Sequence, residues 1–194
     1  MTTLQQTISK ECISEMQVEE YKGKIVLVET EEAAEEAVSF LMSRPIVGFD
    51  TETRPSFQKG KSYLVSLIQL ATADTCFLFR LQNMGICPAL VSFFEAENVC
   101  KVGLSLKDDF CALRKRCEVE PKNFIELQNF VKPFGIEEAS LQKVYAILFN
   151  KKISKSKRLT NWNAEELTDA QQQYAALDAW ACLRIYETLN NLSL

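Results

Sequence analysis

The chain contains no histidine. That absence removes serine and cysteine hydrolases that rely on a histidine base, and zinc enzymes that bind their ion through imidazole. The seven cysteines, Cys12, Cys76, Cys87, Cys100, Cys111, Cys117 and Cys182, include no C-x-x-C pair. Several lie in apolar runs, where a thiol packs like a small hydrophobe, so the sequence reads them as reduced and buried. No apolar run approaches the roughly 20 residues of a membrane span, and Met1–Gln6 lacks a basic segment followed by an apolar one. These absences lead us to expect a soluble, cytoplasmic protein without a membrane partner. Internal repeats, heptad arrays and low-complexity linkers are also missing.

What remains for catalysis is carboxylate chemistry. With 194 residues, 47% of them hydrophobic, the chain can bury a substantial core as one compact domain. Its net charge of −4 argues against a strongly basic protein that coats nucleic acid, although four clustered site carboxylates would account for that charge. The densest basic stretch is Lys151–Arg158, which reads either as a solvated loop or as a phosphate contact.

Residues 1–22 are polar and weakly patterned, an N-terminal extension ordered only by docking, and the domain proper spans 23–194. Strands are expected at 25–28, 46–50, 64–71, 75–81, 99–103 and 124–125. The second to fourth of these are joined so tightly that an antiparallel meander is expected. Thr30 can cap a helix that ends near Arg44-Pro45, and further helices are expected at 89–97, 108–117 and around 140–149. Thr168-Asp169-Ala170-Gln171 has the form of a capping box for a last helix running to about Leu192. This order fits a mixed α/β sheet covered by helices.

Two residue pairs carry the chemical signal. Asp50 and Glu52 lie two apart at the end of an apolar strand, so both point to one face, where clefts open in α/β sheets. Tyr174 and Asp178 lie one helical turn apart, among alanines that permit a helix to press against a sheet. A third acid is expected from Lys107-Asp108-Asp109. Of the two, Asp109 shares a helical face with Leu113 and Cys117, and it is our choice. Clustered acids without histidine suit oxygen-seeking divalent ions, which can clamp the attacking and leaving oxygens of a phosphodiester.

Phe49-Asp50-Thr51-Glu52, the stretch Val102–Leu113, and Leu167-Thr168-x-x-Gln171-x-x-Tyr174-Ala175-Ala176-Leu177-Asp178-Ala179 resemble, in order, the three motifs of the DEDD superfamily of 3′-5′ exonucleases. The tyrosine in the third motif is similar to that of the DEDDy branch, which includes ribonuclease D-like and Werner-type exonuclease domains. The resemblance covers residues from Lys24 to Leu192. It implies an RNase H-like fold, with a mixed sheet of five or six strands flanked by helices. It further implies two Mg²⁺ or Mn²⁺ ions held by Asp50, Glu52, Asp109 and Asp178, with Tyr174 orienting the attacking water. The implied reaction is 3′-to-5′ removal of nucleoside 5′-monophosphates from the single-stranded or 3′-ended RNA or DNA that would be its partner.

Lys107, Lys157 and Arg158 are the candidate nucleic-acid contacts. Trp162, in a stretch similar to one preceding the third motif in Werner-like and ribonuclease D-like members, reads either as a base-stacking platform or as a core residue. Because the third motif lies close to the last residue, we expect none of the helical nucleic-acid-binding domains that follow it in ribonuclease D. We therefore expect weak, salt-sensitive binding with little sequence preference. A non-catalytic RNase H-like module that only binds nucleic acid or protein is the competing reading. An aspartyl-phosphate phosphatase would instead carry Asp-x-Asp on the first site strand.

Overall fold

A computed structural model describes residues 4–192. A six-stranded mixed sheet forms its centre, with β1 (Lys24–Val28), β2 (Ile46–Thr53), β3 (Val65–Ala71), β4 (Thr75–Arg80), β5 (Cys100–Gly103) and β6 (Phe124–Glu126). Their order across the sheet is β1-β4-β3-β2-β5-β6. Antiparallel pairing of β2 with β3 and of β3 with β4 makes that part a meander, whereas β1 on β4, β5 on β2 and β6 on β5 are parallel. The α/β sheet flanked by helices is the architecture expected from the sequence.

Each face of the sheet has its own core. On one side Val47, Phe49, Ile68, Leu70 and Phe79 pack with α2 (Glu31–Met42), α3 (Leu81–Met84), α4 (Pro88–Glu95) and α5 (Leu106–Leu113). On the other, Leu67, Ala71, Leu78 and Val102 pack with α6 (Leu127–Phe130), α7 (Leu141–Phe149) and α8 (Asp169–Leu192). Strand residues alternate between these faces, so β2 sends odd-numbered side chains toward α5 and even-numbered ones toward α8.

Local chemistry fixes the helix ends. The Thr30 hydroxyl accepts from Ala33 N and starts α2. At α8, Thr168 N donates to the Gln171 side chain and Gln171 N donates back to the Thr168 hydroxyl, the reciprocal bonding of a capping box. The helix expected from residue 108 begins earlier, at Leu106. Glu126, on the neighbouring β6, accepts from Ser105 N at 3.0 Å and Leu106 N at 2.7 Å. That cap lies too far away in sequence to be read from local pattern.

Residues 4–22 are docked on the body. They include α1 (Lys10–Glu15), and a parallel bridge pairs Val18 with Lys152. The buried Glu19 carboxylate accepts from Tyr145 Oη at 2.8 Å, Lys151 Nζ at 2.8 Å and an Arg184 guanidinium nitrogen at 2.9 Å. Of the seven free cysteines, Cys76, Cys87 and Cys182 are buried and Cys100 and Cys117 only partly so, while Cys12 and Cys111 are exposed. For those two the expectation of burial is corrected: one lies on the outer surface of α1 and the other on the outward face of α5. Among the described residues no helix is long and apolar enough to cross a membrane.

Burial alone would raise the Glu19 pKa, but the bonds from Lys151, Tyr145 and Glu20 N outweigh it and hold the carboxyl below its ordinary range. Its contribution to stability is therefore present above about pH 4.5 and is lost as the pH falls through the folded-state value. Glu19→Ala should cost about 3 kcal/mol at pH 7, the low end for breaking a buried pair because solvent screens the half-exposed Lys151 and Arg184. Urea unfolding at pH 7 and pH 3 checks this. The difference should shrink at pH 3, and an unchanged midpoint at pH 7 would remove Glu19 from the forces holding the N-terminal segment.

Candidate active site

The site begins where β2 outruns its parallel neighbour. Register with β5 covers Ile46 to Gly48 only, so Asp50 and Glu52 lie beyond the paired segment while β3 still supports them on the other side. This is the carboxyl-end opening where clefts form in α/β sheets. Gly48, Asp50 and Glu52 face α8, and Gly48 lets that helix come close. A Cβ added there would lie 1.9 Å from the Ala179 carbonyl oxygen. Ala175, Ala176 and Ala179 are fully buried at this contact. Small residues on both elements thus bring Asp178 and Tyr174 down onto the two strand carboxylates.

Carboxylate oxygens of Asp50, Glu52 and Asp178 lie within 4.8 Å of one another. Asp109 reaches the same cleft from the opposite side of the sheet, on the first turn of α5. It is not within that tight trio; the Thr51 hydroxyl, on the α5-facing side of β2, donates to Asp109 Oδ1 in a short contact. The αL conformation of Ser105 and the Glu126 cap set the start of that helix. A Cβ at Gly103 would lie 2.5 Å from Leu106 Cδ2 and 3.1 Å from Phe49 O, so any larger residue there would displace the Leu106 side chain at the start of α5.

Crowded, buried acids repel one another and resist ionisation. Burial, and next the charges of Asp109, Asp178 and Glu52, raise Asp50 well above the carboxylate range. Glu52 is pushed up to about 9 by burial and then by Asp178 and Asp109, with Arg158 opposing. Burial takes Asp109 to about 7 against the Thr51 hydrogen bond. It also takes Asp178 to about 7, against the Tyr174 hydrogen bond and the charges of Lys155 and Arg158. The Tyr174 phenol is raised by burial and by the carboxylates, Asp178 foremost, so it remains a hydrogen-bond donor.

This donor set suits a hard divalent cation. All ligands are oxygens, and Asp178 Oδ1 is buried with no hydrogen-bond partner among the described residues. A cation would satisfy that oxygen and relieve the repulsion together.

The basic stretch divides over the cleft edge. Lys155 and Arg158 line the acid-bearing cleft of about 360 Å³. Lys157 instead lines a neighbouring hollow with Glu19, Glu20 and Tyr21, and Lys107 is exposed on α5 outside the cleft lining. Trp162 is fully buried, with its ring 6.0 Å from that of Tyr174. This corrects the stacking-platform reading: the indole has no free face, and it supports Tyr174 from behind. Sequence reasoning missed Thr51, Glu126 and the inward-facing Lys155. Only Lys155 carried a signal, as a member of the basic stretch.

The 3′-5′ exonuclease family matches residues 25–193. The mouse bifunctional 3′-5′ exonuclease/ATP-dependent helicase WRN is 34% identical over 153 residues, covering 76% of this chain and 11% of that protein. The chain therefore spans only a small part of that relative. The Aedes aegypti Nibbler EXO domain superposes with a TM-score of 0.78 at 25% identity, over 91% of this chain and 95% of that one. Escherichia coli RNase D, at 20% identity and a TM-score of 0.78 over 87% of this chain and 44% of its own, shares the fold. A match that runs from the first strand of the sheet to the last helix places this chain in the 3′-5′ exonuclease family.

Proposed function

We propose that this chain is a metal-dependent 3′-5′ exonuclease of the DEDDy type, carried by residues 23–194, that hydrolyses terminal phosphodiesters of RNA or DNA and releases nucleoside 5′-monophosphates. The observation that carries the reading is the convergence of Asp50, Glu52 and Asp178 within 4.8 Å, with the Tyr174 hydroxyl on Asp178. Asp50, Glu52, Asp109 and Asp178 would hold Mg²⁺ or Mn²⁺, two ions in our reading. Bound there, the metal supplies Lewis-acid stabilisation of phosphate charge and a more acidic water.

The protein groups divide the remaining work. Tyr174, protonated and braced by Trp162, is a donor fixed beside Asp178 and orients the attacking water. Thr51 holds Asp109 toward the cleft from the far face of β2. Lys155 and Arg158 bring positive charge to the rim and oppose the repulsion between an anionic substrate and anionic acids. No acid or tyrosine of the set is replaced by an inert residue, and this supports catalysis over a purely binding module. The unpaired cysteines support a reducing, cytoplasmic setting.

Asp50→Ala and Asp178→Asn should each lower turnover of a 5′-labelled oligonucleotide at least about a thousand-fold, equivalent to the several kcal/mol a metal-held charge contributes. Tyr174→Phe loses one hydrogen bond to a charged group, about 1.5–3 kcal/mol, and should cost roughly 10- to 150-fold. Time courses with single-stranded RNA and DNA decide this, and wild-type turnover by Asp50→Ala would overturn the site.

The raised carboxyl values give a second test. A group whose folded pKa lies above its unfolded value stabilises the fold at low pH and loses that contribution as pH rises through the folded value. In EDTA, stability should fall between about pH 4.5 and 9 as Asp109, Asp178 and Glu52 ionise. Mg²⁺ or Mn²⁺ binds the ionised acids, so the metal-induced rise in Tm should be larger at pH 8 than at pH 5. Thermal scans showing equal shifts at both pH values would count against these acids as ligands.

A further inference from the structure

The connection from β2 to β3 runs from Arg54 to Leu64, although antiparallel neighbours need only roughly two to five residues to turn. Binding residues are found disproportionately on loops that a rigid scaffold positions. This one leaves the strand that carries Asp50 and Glu52, and its composition is unlike the rest of an acidic chain. No Asp or Glu occurs between Glu52 and Asp74, while Arg54, Lys59 and Lys61 fall within the loop.

The loop also has an aromatic face. Phe57 is 83% exposed, a large apolar ring held in solvent without a packing role. Beneath it the loop is built rather than loose. The Arg54 guanidinium lies 4.8 Å over the Tyr63 ring and Lys61 Nζ lies 5.2 Å over the same ring. Gly60, at φ +79°, turns the tip, and Lys61 N donates to Gln58 O at 3.2 Å. Arg116 Nε donates to Val65 O at 2.6 Å, which fastens the basic turn Arg114-Lys115-Arg116 to the base of the loop.

Electrostatics gives this surface a purpose. Four clustered acids repel a polyanion, and Lys155 and Arg158 at the rim oppose them only locally, so basic groups outside the cleft add the attraction a longer strand needs. Phe57 follows Glu52 by five residues, which limits its backbone to within about 18 Å of the site. We propose that loop 54–64, with the adjoining 114–116 turn, is a holding surface for the single-stranded part of a nucleic acid whose 3′ end lies in the cleft. An unpaired base stacks on Phe57, and Arg54, Lys59, Lys61 and the turn contact phosphates. The exposed ring selects a single strand, because bases within a duplex offer no free face to it. This assignment rests on the exonuclease reading of the cleft.

The test uses the full chain with Phe57→Ala and a Lys59→Ser/Lys61→Ser double variant, all at exposed positions away from the acids. Fluorescence anisotropy in EDTA with a single-stranded oligonucleotide of about 16 nucleotides reads the surface without cleavage. Phe57→Ala should weaken binding roughly 5- to 150-fold, as expected for loss of one stacked base. The lysine variant should flatten the slope of log K against log salt by about 1.4. With Mg²⁺, kcat/KM on an oligonucleotide of about four nucleotides should stay at the wild-type value, while kcat/KM on the long one falls. Unchanged affinity in both variants would overturn the proposal, as would an equal loss on short and long substrates or a wild-type chain that binds no single strand. If binding behaves as expected but wild type cleaves nothing, the exonuclease reading fails while the holding surface stands.

Discussion

The close approach of α8 to β2 is the constraint on which the rest depends. A helix seated over a sheet ordinarily keeps side chains between the two backbones. Here Gly48 and the buried alanines of α8 remove them, so that the Ala179 carbonyl lies against the strand. Asp178 is the residue before Ala179, and Asp50 and Glu52 follow Gly48 on the same strand face. Side-chain volume at one packing contact therefore decides whether three carboxylates meet. Larger residues would fill that contact, push the helix outward and leave the acids too far apart to share a cation.

Bringing the acids together costs free energy that the fold itself does not fully offset. Burial is the largest contribution to every raised carboxyl value, and mutual repulsion adds to it at Asp50 and Glu52. Partial relief comes from a few specific contacts: Thr51 on Asp109, Tyr174 on Asp178, and Lys155 and Arg158 across the rim. Asp178 Oδ1 nevertheless remains without a partner among the described residues. A site that is strained in this way and built only of oxygens favours a divalent cation more strongly than a set of neutral hydrogen bonds would. The strain is concentrated where binding can release it, a common arrangement in functional sites.

Much of this was legible before any coordinates. The strands, the meander and the capping box at Thr168 followed from hydrophobic period and turn residues, and the Asp50/Glu52 and Tyr174/Asp178 pairs followed from the two side-chain periodicities. Long-range effects were not legible. Glu126 moves the start of α5 from the neighbouring strand β6, and Thr51 acts on an acid 58 positions away. Trp162 could not be assigned from composition, because an aromatic near a basic stretch looks the same whether it faces a base or the core. Lys157 and Lys155 differ only in the direction each faces from an irregular strap, which no periodicity fixes.

That strap links stability to function. It starts at Lys151, which donates to Glu19, and Lys152, whose backbone pairs with the N-terminal segment through Gln17 and Glu19. From this anchored root the chain passes Ile153 and then Lys155 and Arg158 over the acids, and the Arg158 carbonyl faces the buried Trp162 indole nitrogen at 3.5 Å. Trp162 in turn packs on Tyr174. The cations at the rim and the tyrosine beside Asp178 are therefore positioned by one continuous set of contacts whose far end is the Glu19 carboxylate. A polar N-terminal stretch with little pattern of its own thus has a physical reason to be docked. It fixes one end of the segment that carries positive charge to an otherwise anionic cleft.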